Sequence, residues 1–225
     1  MNKKFNLIIV IAALLFGCSS CGNNSKIIDS TGDEFNTYKI YDSIKIGWNL
    51  GNSLDAYPKK YSDWVNAGSP VYSFDKTEKS WGNPLVTQDL ISFVKKSGFN
   101  SIRIPITWFD HIDQDNVIDQ AFLDRTKEVV DYCISEDLTC IINVHHDTGE
   151  KGWLFATENE EKQVEYLSKF ADIWKQIANF YTDYSVEKLM FEGFNEILDD
   201  NKNWNNSSSK SLNFVNDLNQ QMVII

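Results

Sequence analysis

Asn195 and Glu196 follow an apolar run of strand length, Lys188-Leu189-Met190-Phe191-Glu192-Gly193-Phe194. In a barrel of parallel strands, catalytic groups sit at the carboxyl ends of the strands. A Glu placed there beside an Asn is suited to protonating a glycosidic oxygen. That role demands a carboxyl that still holds its proton at working pH, hence a semi-apolar cleft and a nearby carboxylate. Glu192 shares a strand face with Glu196 by the period of two. It is expected to lie deeper, where a charge needs a partner, and Arg103 is the candidate. His145-His146-Asp147 closes another apolar run and invites a metal reading. Neighbours on one strand point to opposite faces and make poor joint ligands, so no metal is expected. Gly47 and Gly51 form no phosphate loop, since neither Lys-Ser nor Lys-Thr follows.

The elements that must position these groups are legible as alternating runs. Strands are expected over 43–48, 100–106 and 138–144, and a fourth around 189–191. Thr87 caps a helix with Leu90, Ile91 and Val94 on its apolar face, ended by Gly98. Asp119 caps a second helix, with Phe122, Leu123, Thr126, Val129, Val130 and Cys133 on its face. A third runs from about 160 to 184 with Val164, Leu167, Phe170, Trp174, Ile177 and Tyr181 at helical spacing, and a fourth begins at Leu212. Strict alternation of strand and helix argues for a parallel sheet with right-handed crossovers. The long stretch from Asn49 to Val86 carries Tyr57, Tyr61, Trp64, Tyr72, Phe74 and Trp81 and is expected as a functional loop.

A net charge of −11 without any Lys/Arg-rich run excludes nucleic acid as a partner. Seven Trp, nine Tyr and fourteen Phe, many in loop-like stretches, suit the apolar faces of sugars. Lys3 and Lys4 precede an apolar run from Leu7 to Phe16, too short to span a bilayer and fitting an export signal. Leu15-Phe16-Gly17-Cys18 resembles a bacterial lipoprotein box, which makes Cys18 the expected lipidation site and Cys21 its competitor. Residues 1–18 are then signal peptide, 19–40 a flexible tether, and 41–225 the catalytic domain. A lipid anchor is the expected membrane attachment, at the cell surface or in the periplasm of a bacterium; without it, the exported protein is expected to be secreted. Cys133 and Cys140 have no metal-type spacing and are expected as buried small apolar groups.

Four motifs occur in order at four strand ends: Gly47-Trp48-Asn49-Leu50-Gly51-Asn52, Gly98-Phe99-Asn100-Ser101-Ile102-Arg103-Ile104-Pro105, Ile142-Asn143-Val144-His145-His146 and Gly193-Phe194-Asn195-Glu196. Together they resemble the amino-terminal half of glycoside hydrolase family 5, the cellulase family, over residues 41–225. The resemblance implies an α/β fold, a (β/α)8 TIM barrel of which about the first four β/α units are present. It implies retaining cleavage of β-1,4-linked glucans or related polysaccharides, with no cofactor. Glu196 matches the family's general acid/base, and Arg103 the residue that orients the nucleophile. His145 matches a subsite histidine, and Asn195 a ligand of the sugar 2-hydroxyl. Asn49, Asn52, Trp81, Trp108 and His146 are further candidate substrate contacts.

The family carries its nucleophilic Glu on the seventh strand, so none of these 225 residues is expected to be the nucleophile. Gln220-Gln221-Met222-Val223-Ile224-Ile225 is an apolar run without a helix stop signal. The sequence is therefore expected to be a fragment of a longer enzyme and inactive alone. Two other readings remain at this stage: a non-catalytic glycan-binding surface lipoprotein, and a (β/α)8 hydrolase with a metal at His145.

Overall fold

The computed structural model describes residues 44–58, 74–204 and 208–225. The expected signal segment, tether and lipidation site Cys18 lie outside these residues, as do Tyr61, Trp64 and Tyr72.

Four strands form one parallel sheet in sequence order: β1 Gly47–Asn49, β2 Ser101–Ile104, β3 Thr139–Asn143 and β4 Leu189–Glu192. Gly47 pairs with Ser101, Ser101 with Thr139, and Cys140 with Leu189. This register sorts the side chains by the period of two. Trp48, Ile102, Ile104, Cys140, Ile142, Leu189 and Phe191 share the face packed by helices. Asn49, Ser101, Arg103, Thr139, Ile141, Asn143, Met190 and Glu192 share the other, which in a closed barrel would be its interior. Ile102, Ile104, Cys140 and Ile142 are fully buried, so these strands are covered as parallel strands must be.

The first strand begins later than expected. Residues 44–46 are exposed, and the N–H groups of Lys45 and Ile46 donate to Asn100 Oδ1 at 3.0 and 2.9 Å. The Asn100 side chain thus takes these two N–H groups, while its own backbone N–H donates to Ile46 O at 3.0 Å. The expected loop from Asn49 to Val86 contains a short helix, α1 Phe74–Glu78. Helix α2, Gln88–Lys96, starts where Thr87 Oγ1 accepts from the Leu90 N–H at 3.3 Å, and Gly98 past its end takes φ +97°. Helix α3, Gln120–Ser135, is capped by Asp119, whose Oδ1 accepts from the Ala121 N–H at 3.1 Å.

Helix α4, Glu160–Phe180, buries Phe170, Ile173, Trp174 and Ile177. Val164, expected on the same face, is 70 % exposed. Its 21 residues span about 30 Å, whereas a four-residue strand covers only about 13 Å, so its first turns overrun the sheet. Helix α5, Ser209–Ile224, packs on α4. Cys133 and Cys140 are buried free thiols in the layer between α3 and β3.

Candidate active site

Because the strands are parallel, their carboxyl ends and the residues that follow share one rim. Arg103, near the end of β2, donates from Nε to Glu192 Oε2 at 2.7 Å and from Nη2 to Glu192 Oε1 at 2.5 Å. The same guanidinium reaches Asn49 Oδ1 on β1 and Asn195 Oδ1 beyond β4, each at 3.0 Å. One planar cation therefore ties three strands together across the inner face. Asn143, at the end of β3, donates from Nδ2 to Glu192 Oε1 at 2.9 Å. Burial works against the Glu192 charge, but the bonds from Arg103 and Asn143 outweigh it and hold its carboxyl below the usual range. Glu192 is thus a fixed anion, as the deeper position on its strand led us to expect.

The Asn195 N–H donates to Val144 O at 2.9 Å and fastens the exit of β4 beside the exit of β3. Glu196 follows, exposed at the rim. It makes no hydrogen bond to the described residues. The apolar surroundings expected around a proton-holding carboxyl are not formed by them.

His145 and His146 lie beyond the end of β3, where the chain bends, and their rings approach to 4.5 Å. The expectation that strand alternation keeps them apart is corrected: alternation holds only along a strand, and β3 ends at Asn143. Asp55 joins them, with its Oδ2 3.7 Å from His146 Nε2. Asp55, His145 and His146 each bring one ligand-type atom within 4.8 Å of the other two. Burial disfavours the Asp55 charge, but His146 and the N–H groups of Ser53 and Asn52 together keep its carboxyl below the usual range. Burial, then the neighbouring His146 and Arg103, push His145 down to about 4, which leaves it neutral at pH 7.

An aromatic wall adjoins the histidines. Trp81 lies 5.2 Å from His146 and 5.0 Å from Tyr57, and its Nε1 donates to Tyr57 O at 2.7 Å. Tyr57 in turn packs on Phe109 at 5.2 Å. The segment carrying Trp81 is pinched at its base by a buried ion pair. Arg125 of α3 donates from Nε and Nη2 to Glu78, both at 2.9 Å, and from Nη2 to Val86 O at 2.8 Å. Glu78 Oε1 also accepts from the Val86 N–H at 2.6 Å.

Trp108, expected as a sugar contact, has no exposed face. It stacks edge-on against Phe122 at 5.6 Å and donates from Nε1 to Asn143 O at 3.0 Å. Its place is under the site, where it supports Asn143. Asp147 is fully buried too, accepting from the Trp108 N–H and from Trp153 Nε1, each at 2.9 Å. A Cβ on Gly152 would meet Asp147 O at 2.0 Å, so this turn closes only with glycine. Asn52 takes a left-handed φ of 59°. Its side chain has no part in this network among the described residues.

Sequence reasoning brought Arg103, Glu192, Asn195, Glu196, Asn49, His145, His146 and Trp81 to this rim. It passed over Asn143, which alternation along β3 sets on the inward face with Thr139 and Ile141. Asp55 carries no signal of its own, because only the fold sets it against His146.

The family model described as cellulase (glycosyl hydrolase family 5) matches residues 64–225. Endoglucanase A of Clostridium longisporum is 36% identical over 214 residues, covering 94% of this chain and 39% of that protein. Endoglucanase B of Clostridium cellulovorans is 34% identical, covering 87% of this chain and 41% of the relative. The chain thus spans about two-fifths of the length of these curated relatives. Among solved structures, a glycoside hydrolase family 5 enzyme of Prevotella bryantii in complex with a xyloglucan tetradecasaccharide superposes with a TM-score of 0.74 at 34% identity, covering 82% of this chain and 51% of that one. A broad-specificity endoglucanase of Ruminococcus champanellensis with bound cellotriose gives 0.70 at 37% identity, covering 81% and 50%. The four parallel strands are thus part of a (β/α)8 barrel, and the chain belongs to glycosyl hydrolase family 5, the cellulase family.

Proposed function

We propose that the protein acts as a retaining endo-β-glucanase on β-1,4-linked, glucan-type polysaccharides, with Glu196 as general acid/base. One observation carries the reading: Asn195 is pinned by Val144 O and Arg103, which sets Asn195-Glu196 on the rim that also holds His145, His146 and Trp81. In double displacement, a carboxylate attacks the anomeric carbon while Glu196 protonates the leaving oxygen. Glu196 then takes a proton from water as the glycosyl–enzyme bond breaks. Asn195 would hold the sugar 2-hydroxyl, and the Tyr57–Trp81 wall a pyranose face.

We infer that the nucleophile is outside these 225 residues. Glu192 is committed to Arg103 and Asn143, and Asp55 to His146 and two backbone N–H groups. The reaction as written requires no cofactor. Export with lipid anchoring at Cys18 fits the basic and apolar amino terminus.

The test is hydrolysis of cellulose, mixed-linkage glucan, xyloglucan and mannan by the longer polypeptide that carries a nucleophile, with the product anomer read by NMR. Retention of configuration is expected. Glu196→Gln is expected to lower turnover by about 10²–10⁴-fold, with cello-oligosaccharide affinity kept in calorimetry. Binding without turnover in the unmodified protein would favour a glycan-binding lipoprotein instead. Activity that a chelator abolishes would favour metal chemistry at His145.

A further inference from the structure

Asn143 is buried with no exposed surface. Its Oδ1 accepts from the Ile106 N–H at 3.2 Å, and its Nδ2 donates to Glu192 Oε1 at 2.9 Å. A backbone N–H can only donate, and a carboxylate held by arginine only accepts, so both ends of the amide are assigned by their partners. The same Nδ2 lies 3.0 Å from His145 Nδ1. An amide nitrogen has no lone pair to offer, so this contact is a hydrogen bond only when Nδ1 is bare.

We infer that Asn143 is a positioning residue that fixes His145 as the neutral imidazole with its proton on Nε2. His145 then offers the cleft a donor and not a lone pair. The chain of control runs from Arg103 through Glu192 and Asn143 to His145, each step a bond within 3.0 Å. The usual arrangement behind a metal-binding histidine is the reverse, with the second nitrogen donating to a carboxylate or carbonyl. Near Asp55 and His146, a cation seeking Nε2 would have to drive the proton onto Nδ1, against the Asn143 N–H. A hydroxyl oxygen meets no such obstacle. Only that last use, the hydroxyl of a sugar, rests on the glucanase reading.

The tautomer is read directly from the ring nitrogens of the ¹⁵N-labelled protein by two-bond proton–nitrogen correlation at neutral pH. A pyridine-type Nδ1 and a pyrrole-type Nε2 are expected for His145, and a protonated Nδ1 overturns the proposal. Asn143→Asp puts an acceptor where the donor was, so the two nitrogen shifts should exchange. An unchanged pattern in the folded variant overturns the role of Asn143. If that variant does not fold, the nitrogen–nitrogen coupling across the Asn143–His145 bond in the unmodified protein decides. Its presence supports the proposal and its absence rejects it. None of these measurements uses a substrate. A protein without glucanase activity would end the functional reading and leave the tautomer standing.

Discussion

A residue-scale feature governs the electrostatics of the rim: one guanidinium holds Glu192 with two bonds and reaches Asn49 and Asn195 with two more. Arg103→Met removes all four and keeps most of the apolar stem. With those bonds gone, burial is opposed chiefly by Asn143 and the Glu192 carboxyl should titrate higher than in the unmodified protein, as read by its ¹³C shift. The sign for stability follows from linkage. A depressed folded-state pKa contributes stability above the unfolded value, and that contribution disappears as pH falls through the folded value. The unmodified protein should therefore lose more stability below about pH 4.5 than Arg103→Met does. Equal losses in urea titrations would remove Arg103 as the cause.

At the scale of elements, the aromatic wall depends on a helix that does not touch it through an aromatic ring. Arg125 on α3 closes the base of the segment 78–86 by bonding both Glu78 and Val86 O. Both charged side chains are nearly sealed, at 5% and 1% exposure. Removing one partner leaves a buried charge unpaired, which costs about 3–5 kcal/mol, whereas replacing both by apolar groups is often close to neutral. Arg125→Leu should accordingly destabilise far more than the Arg125→Leu/Glu78→Met pair, in urea unfolding. Trp81 emission should shift in both variants if the clamp positions it. An unshifted spectrum would mean that the Tyr57 and His146 contacts alone hold the ring.

For the whole molecule, two sets of buried groups oppose each other in acid. Burial pushes His145 down to about 4 and His111 to about 3, from the ordinary 6.5 of an imidazole. Below about pH 6 the unfolded chain takes up protons there that the folded chain refuses, so these two make stability rise with pH. Burial pushes Asp147 to about 6, and burial with the Asp147 charge does the same to Asp110, from 3.8. The folded chain keeps protons there that the unfolded chain has released, so these two make stability fall with pH. The urea midpoint should be nearly level between about pH 5 and 6. His111→Phe, which keeps the stack on Phe122, should tilt it so that stability falls as pH rises. A second prediction concerns catalysis. Among the described residues β1 and β4 each pair with one neighbour only, and Glu196 stands exposed. The 225 residues alone are expected to release no reducing sugar from β-glucan and to self-associate at the open strand edges. A monomer that cleaves β-glucan would refute this.

What the amino-acid order determined by itself was local and periodic. The helix caps Thr87 and Asp119, the apolar strands, their parallel alternation and the inward face of Arg103 and Glu192 follow from rules that span a few residues. The strand-end motifs added the family, because each sits where a parallel sheet collects its functional groups. The tertiary structure alone decided matters set by distant contacts. Trp108 went under the site because Phe122 and the Asn143 carbonyl lie there. His145 and His146 came together because the chain bends past β3, and Asp55 joined them from a segment 90 residues earlier in the sequence. The orientation of the Asn143 amide, and with it the proton on His145, depends on partners from two other segments. No spacing in the sequence encodes which atoms those partners present.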